Sequence, residues 1–288
     1  MQKPILRLFH LLLFIVLLGT CGSTIYFIKR DPGESSTAIA ALPSRLKFRV
    51  CPMLNASPDT GWTELQPGLE RRVIQICDQE HKYVESLHLW RLDQRHFRLD
   101  VAYRETPQSL ETWQKETNAL IVLNAGYYSV TNEKYFPDGL TIVNGKASGQ
   151  SFTGFGGMLA IKDSRAELRW LVQKPYDPYE ALHAALQSFP ILVQPGGRLG
   201  FGAERENNVS ARRTVIGQDQ KGRILFIVAP QGYFTLHQMS LYLTASDLNL
   251  DIAVNLDGGG STGILVANPH EVISSDRGLP FVILVYPR

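Results

Sequence analysis

The sequence predicts an α+β domain of mixed, largely antiparallel sheets with several hairpins and flanking helices. Three observations carry that prediction. Short β-rich runs are joined by polar or glycine turns, as in residues 140–148, 157–172 and 214–229. Two stretches, 109–117 and 236–248, show helical spacing behind an N-cap residue. Apolar runs such as 252–256 and 281–286 read as buried strands. No repeat of solenoid period is visible.

The 288 residues are 44% hydrophobic, enough to bury a sizeable core, and residues 44–288 read as a single domain. Net charge is +2, with 29 basic and 27 acidic residues and no long basic run, so nucleic-acid binding has little electrostatic support.

Residues 1–30 read as a membrane anchor or signal segment. Positions 8–28 are apolar, with Lys3 and Arg7 before them and Lys29 and Arg30 after, and are long enough to span a bilayer. Three readings compete. An uncleaved signal anchor ranks first, because the stretch exceeds a typical signal-peptide core. A cleaved signal and a lipoprotein signal presenting Cys21 are the others, and Thr20 is a poor residue before a lipidated cysteine. The expected location is the cell envelope, with the domain in the periplasm or outside. Residues 31–43, rich in Ser, Ala, Pro and Gly, form a linker. After export, Cys51 and Cys77 either form one disulfide or remain two core thiols.

Residues 46–58 start the domain, 62–69 read as a surface excursion, and 71–76 as a strand. Residues 83–103 alternate as a hairpin around the polar turn 93–96. Ser109 caps the first helix, and the buried strand 119–123 delivers Asn124, Tyr127 and Tyr128 at its end. Asp138 precedes a strand closed by Asn144 and Gly145, a strong hairpin turn. Residues 157–161 and 167–172 make a second hairpin, 178–187 have helical spacing, and 189–193 read as a strand. Residues 200–210 are polar and read as a mobile loop. Residues 214–229 form a third hairpin, and Thr235 caps a helix that leads into the strand ending at Asp257.

That last strand turns through Gly258, Gly259 and Gly260 into Ser261 and Thr262. One acid beside exposed backbone amides suits an anionic or sugar ligand, since successive N–H groups around glycines form an anion-binding concavity. A glycine turn between strands also has a purely structural reading. The string lacks the GK[ST] ending of a P-loop and opens no helix of the dinucleotide-binding kind. Tyr127 offers an aromatic face for a sugar ring, and Asn124 a donor and acceptor for a hydroxyl.

NAGYY from Asn124, QSFPILV from Gln187, ARRTVIG from Ala211, TLHQM from Thr235 and NLDGGGSTG from Asn255 stand in one order along the chain. In that order they resemble phosphodiester glycosidase domains, those related to the enzyme that uncovers mannose 6-phosphate. The resemblance covers roughly residues 87–288 and suggests a bacterial envelope member. It implies hydrolysis of a sugar-1-phosphodiester at the anomeric carbon, with a phosphorylated sugar or glycan as partner; no cofactor is expected, and no metal ligands are assigned from the sequence.

The chemistry makes specific demands on the residues. A phosphate monoester has a second pKa near 6, so it departs with little help from a strong acid and needs anion stabilisation instead. A guanidinium forks onto phosphate, which assigns Arg213, with Arg212 behind it, together with the amides of Gly258 to Gly260. A carboxylate must serve as nucleophile or as base toward water, and Asp257 is the candidate. Asn124 orients sugar hydroxyls, and Ser261 and Thr262 bond sugar or phosphate. Asp138 is a second carboxylate.

One departure is Gln238, where family members often carry an acid; a neutral amide hydrogen-bonds but cannot act as a base. Two functions therefore stand: a hydrolase of envelope or exopolysaccharide sugar phosphodiesters, and a non-catalytic module that binds phosphorylated glycans during polysaccharide assembly. A metal-dependent phosphodiesterase is a third, weaker reading, since no HExxH motif or His/Asp ligand spacing is present.

Overall fold

The computed structural model describes residues 47–52, 57–151 and 156–288. The apolar stretch 8–28, Cys21 and the linker lie outside them. Among the described residues, no helix is long and apolar enough to cross a membrane.

Every strand pairing among these residues is antiparallel. The first sheet has nine strands and runs from Phe48–Val50 through Leu69–Asp78, Tyr83–Leu92, Ile224–Ala229, Arg213–Asp219 and Leu250–Asn255 to Ile191–Gln194 and Arg198–Leu199. The second orders Lys146–Ser148, Thr141–Val143, Ala184–Ser188, Gly157–Lys162 and Arg165–Trp170. The third orders Glu271–Ile273, Ile264–Val266, Ile121–Asn124, Leu279–Pro287 and Phe97–Gln108. A separate hairpin pairs Tyr128–Thr131 with Lys134–Pro137.

The fold is thus predominantly β, where the sequence suggested α+β with mixed sheets. Only two α-helices are present among the described residues, Leu110–Thr117 and Leu236–Ala245. Each covers the outer face of one sheet. Leu110 and Trp113 pack on Val122, Val282 and Leu284 of the third sheet, and the Trp113 indole donates to Leu279 O at 2.8 Å. Met239, Tyr242 and Leu243 pack on Val215, Leu225 and Ile227 of the first. The inner faces meet in one core that draws Trp90, Phe226 and Val254 from the first sheet, Leu159 and Leu186 from the second, and Leu123 and Ile283 from the third. Because side chains alternate across a strand, residues 121–123 serve both layers: Ile121 and Leu123 face this core while Val122 faces the helix. A strand buried on both faces reads as a continuous apolar run.

Four local expectations change. Residues 178–187 form no helix; turns lead into the strand Ala184–Ser188, whose five residues are all buried. Burial on both faces put apolar residues at enough positions to imitate a helical spacing. Residues 62–69 are no excursion but add the strand Thr63–Gln66 to Leu69–Asp78. Residues 83–103 are no hairpin. Tyr83–Leu92 pairs within the first sheet and Phe97–Gln108 with Leu279–Pro287 in the third, so the turn 93–96 is a corner between sheets. The polar segment 200–210 holds a short 3-10 turn, Ala203–Arg205. The hairpins 141–148, 157–170 and 213–229 form as expected.

Cys51 and Cys77 are joined in a disulfide, with Cα atoms 4.9 Å apart. It ties the first strand to its neighbour, where Arg49 already lies opposite Cys77.

Candidate active site

Strand Leu250–Asn255 runs through the interior of the first sheet, between Arg213–Asp219 and Ile191–Gln194. Beyond it the chain changes sheets. Leu256 N still donates to Thr214 O of the first sheet (2.8 Å), but Asp257 N donates to Ala125 O beyond the end of a third-sheet strand (3.0 Å). A 3-10 turn, Gly259–Ser261, then feeds the third-sheet strand Ile264–Val266. Asp257 therefore sits at a crossover between two sheets.

The glycines follow from that path. A Cβ on Gly258 would lie 2.7 Å from Arg212 O, so a side chain has no room there. Gly259 has φ +56°, a left-handed value that favours glycine. The expected cradle of three amides is partly used up inside the loop: Gly258 N donates to Asp257 Oδ1 (2.8 Å) and Gly259 N to Arg212 O (2.8 Å). Ser261 and Thr262 are buried, and the Ser261 hydroxyl lies 3.3 Å from the Tyr128 hydroxyl.

Asn124 is almost fully buried, and its carboxamide is spent on this loop. Its Nδ2 donates to Asp257 O (2.7 Å), while its Oδ1 accepts from Thr214 Oγ1 (2.7 Å) and Gly263 N (3.1 Å). The residue expected to orient sugar hydroxyls instead fixes the backbone on either side of the glycine turn.

Asn255, which the sequence reading passed over, carries the next layer. Its Nδ2 donates to Tyr127 OH (2.6 Å) and to Leu256 O (2.7 Å), and its Oδ1 is buried without a protein partner. The Tyr127 ring stacks on Phe189 with centroids 4.7 Å apart. One face of Tyr127 is thus already taken by an aromatic neighbour.

Electrostatics tie these groups together. Burial raises the Asp257 carboxyl above its ordinary value; the Ser261 hydroxyl, the Gly258 amide and the Arg277 charge oppose the shift, and the Asp138 charge adds to it. Burial and the Asp257 charge push the Tyr127 phenol up to about 12, against Arg213 and the Asn255 hydrogen bond. Asp138 accepts a hydrogen bond from the Ser129 hydroxyl, and its own amide donates to Tyr127 O (2.9 Å). Asp257, Tyr127, Asp138, Ser261, Arg213 and Arg277 therefore share one electrostatic neighbourhood.

The arginines divide their work. Arg212 is a clamp: it donates to Asp276 Oδ1 (2.7 Å), Thr262 O (3.0 Å) and Ser274 O (2.6 Å). Arg213 is 7% exposed and donates through Nε to Phe234 O (3.0 Å) and through Nη2 to Val209 O (2.7 Å). Burial lowers its pKa, and the charges of Tyr127 and Glu206 oppose that. Arg277, absent from the sequence reading, is exposed and packs where a Gly260 side chain would stand, its Nε and Nη2 each 2.8 Å from that Cβ position. No motif marks Arg277; it reaches the loop because Asp276 N bonds Gly260 O (2.8 Å).

Gln238 has a structural task. Its Oε1 accepts from Thr235 N (3.0 Å) while Thr235 Oγ1 accepts from Gln238 N (3.2 Å), a reciprocal capping box on helix Leu236–Ala245. The acid at this helix start comes from Glu206, which accepts from His237 N (2.8 Å). Burial opposes the Glu206 charge, but hydrogen bonds from Thr235 and from the amides of His237, Asn208 and Asn207 outweigh it and lower its pKa. His237 Nδ1 lies 2.9 Å from Phe201 O. Among the described residues, no group of three or more His, Cys, Asp or Glu is placed to hold a metal ion.

The family model of phosphodiester glycosidases matches residues 117–286. Among solved structures, the chain is similar to the catalytic domain of zebrafish N-acetylglucosamine-1-phosphodiester alpha-N-acetylglucosaminidase, auto-inhibited by its pro-peptide, with TM-score 0.60 and 17% identity over 84% of this chain and 88% of that one. It is also similar to a hypothetical protein from Synechocystis (TM-score 0.54, 13% identity, 81% of this chain and 64% of that one). An exported protein from Burkholderia pseudomallei gives TM-score 0.52 and 12% identity over 70% of this chain and 74% of that one. At these identities the likeness shows a shared fold. No protein with a curated description matches the chain.

Proposed function

We propose that this chain, which belongs to the phosphodiester glycosidase family, hydrolyses a sugar-1-phosphodiester at the anomeric C–O bond, releasing free sugar and a phosphomonoester. The observation that carries the reading is the Asp257 carboxyl, raised by burial and set among Ser261, Tyr127, Asp138 and Arg277. A carboxylate of raised pKa is a stronger base than an ordinary one.

In the proposed reaction Asp257 takes a proton from water as the water oxygen bonds the anomeric carbon. The C–O bond to phosphate breaks, and its electron pair leaves on the phosphate oxygen. A monoester whose second pKa is near 6 accepts that charge without a strong acid. Arg277 is the guanidinium best placed to meet it, because it is exposed beside the glycine turn while Arg213 spends two nitrogens on carbonyls. Arg213 then contributes positive charge that acts on the Tyr127 phenol. Burial raises the Asp257 pKa and the Asp138 charge adds to it, while Asn124 and Asn255 hold the loop and the phenol in place.

The capping box bears on the alternative of a non-catalytic glycan binder. Gln and Glu both complete such a box, but a glutamine at position 238 supplies no base, so the proposed reaction rests its base on Asp257 alone. The proposed setting is the cell envelope, resting on the apolar segment 8–28, with an envelope or exopolysaccharide glycan as substrate.

The test is release of free N-acetylglucosamine from an α-N-acetylglucosamine-1-phosphodiester by the full-length chain in detergent, beside its Asp257→Ala variant. Release by the first alone, with both folded, supports the reading. No release from several sugar phosphodiesters, with saturable binding of them, overturns it in favour of a binding module.

A further inference from the structure

The end of the β-structure away from Asp257 carries a cavity of about 770 Å³. Strand register separates the two places. Arg213 lies opposite Ala229 at the start of its hairpin, and Gln218 lies opposite Ile224 at the other end. Gly157, against Val254 and Ile191, starts the hairpin whose far turn is 162–165. Strands of six to seven residues at about 3.3 Å per residue put the two ends about 20 Å apart.

The cavity is walled by turns. Five cationic side chains line it, Arg95, Arg165, Lys221, Arg223 and Arg288, against the carboxylates of Asp93 and Asp163, and no aromatic ring does. Two of the five are neutralised: Arg95 pairs with Asp93 (2.6 Å), and Arg223 with Asp219 (2.7 Å) and Glu70 (3.4 Å). Arg165, Lys221 and Arg288 form no ion pair among the described residues, and Asp163 is the lining carboxylate left unpaired. Gln94 fixes the walls to one another, donating to Ala166 O (3.0 Å) and Gly222 O (2.8 Å) and accepting from Ala166 N (2.8 Å). Arg288 adds a tie to Ser164 O (2.6 Å).

We infer that this cavity is a second binding site, for a ligand carrying several phosphate or phosphodiester charges. Its volume falls within the range of small-molecule pockets, about 300–1,000 Å³, but those are mainly apolar and aromatic. Here the lining is charged, so a multiply anionic ligand fits and a stacked base or apolar molecule does not. Guanidinium and ammonium groups are the side chains that recognise phosphate. The inference stands apart from the glycosidase reading, because the site shares no residue with the Asp257 loop and is read by binding.

Calorimetric titration of the full-length chain in detergent with sodium tripolyphosphate tests it, in parallel with poly(glycerol phosphate). The expected result is saturable binding, weakened by salt. In Arg165→Glu/Lys221→Glu, with unfolding temperature unchanged, binding should weaken at least about tenfold. The milder Arg165→Gln/Lys221→Gln variant serves if the charge reversal disturbs folding, and Asp257→Ala should bind as the parent does. Binding of both probes with this sensitivity identifies a phosphodiester polymer as a fitting ligand; binding of tripolyphosphate alone restricts it to soluble phosphates. Absence of saturable binding, affinity equal to the parent's in both Arg165/Lys221 double variants, or loss of binding in Asp257→Ala overturns the inference.

Discussion

Asn124 holds Asp257 by its backbone and not by its carboxyl: Asn124 Nδ2 donates to Asp257 O at 2.7 Å. The same carboxamide receives Gly263 N on the far side of the glycine turn, so one buried side chain sets both ends of the loop. Asn124→Asp replaces the donor with an oxygen that faces the Asp257 carbonyl. We expect this variant to lose about 2–4 kcal/mol of stability, as buried polar groups left unpaired do, and to lose sugar release more steeply than stability. Chemical denaturation alongside initial rates measures both. An unchanged rate would remove Asn124 from loop positioning.

Asp257→Asn should separate stability from activity. Because burial raises the Asp257 pKa, the folded state tolerates the neutral acid better than the carboxylate. Its contribution is fully present below its ordinary value of 3.8 and is lost as pH rises through the higher folded value. At neutral pH the amide variant should therefore melt no lower than the parent while losing about a thousandfold or more in rate. Melting curves at pH 4 and pH 7 decide it: a gap between variant and parent that does not widen toward pH 7 contradicts the assignment.

Glu271 behaves in the opposite sense. Burial opposes its charge, but the hydrogen bonds and charges of Arg71 and His88 hold its carboxyl at about 2. Its contribution is present above the ordinary value of 4.5 and is lost as pH falls through about 2. Since this pair is partly exposed, screening leaves about 1–2 kcal/mol at neutral pH. Glu271→Gln should show that loss at pH 7 and converge on the parent below pH 2 in urea titrations.

Gln238→Glu tests the helix start. A glutamate completes the same capping box but adds a second carboxylate to a place where Glu206 already accepts from Thr235 and His237 N. Repulsion between the two carboxylates should cost about 0.2–0.5 kcal/mol, set against the favourable pull of the helix N-terminus on the new charge, and Glu206→Gln in the same chain should recover the repulsive part. A double-mutant cycle with no coupling would show that Glu206 and position 238 do not interact electrostatically.

The site was legible in part, for physical reasons. NLDGGGS announced a strand ending in an acid and a tight turn, and the positive φ of Gly259 is a backbone cause that sequence reflects. Gly258 and Gly260 answer instead to the distant Arg212 O and Arg277. The hairpins 141–148, 157–170 and 213–229 were legible because their turns are local. The roles of Asn124 and Arg212 were not, since both depend on which carbonyls another sheet brings near. Arg277 and Glu206 carry no motif and reach the site only through long-range packing. The segment 178–187 misled because burial on both faces erases the alternation that marks a strand, and 83–103 misled because a polar turn marks a corner as readily as a hairpin.

Strand Ile121–Asn124 takes both its neighbours from far downstream, Ile264–Val266 on one edge and Leu279–Pro287 on the other. During synthesis Asn124 leaves the ribosome well before either neighbour exists. The carbonyls and amides it grips are among the last to arrive, and long-range pairing of this kind is slow to form. Until those strands form, the carboxamide of Asn124 has neither Asp257 O nor Gly263 N to hold. In the proposed reaction, sugar release would therefore require the late strands to be in place, since Asn124 positions the Asp257 loop only against them.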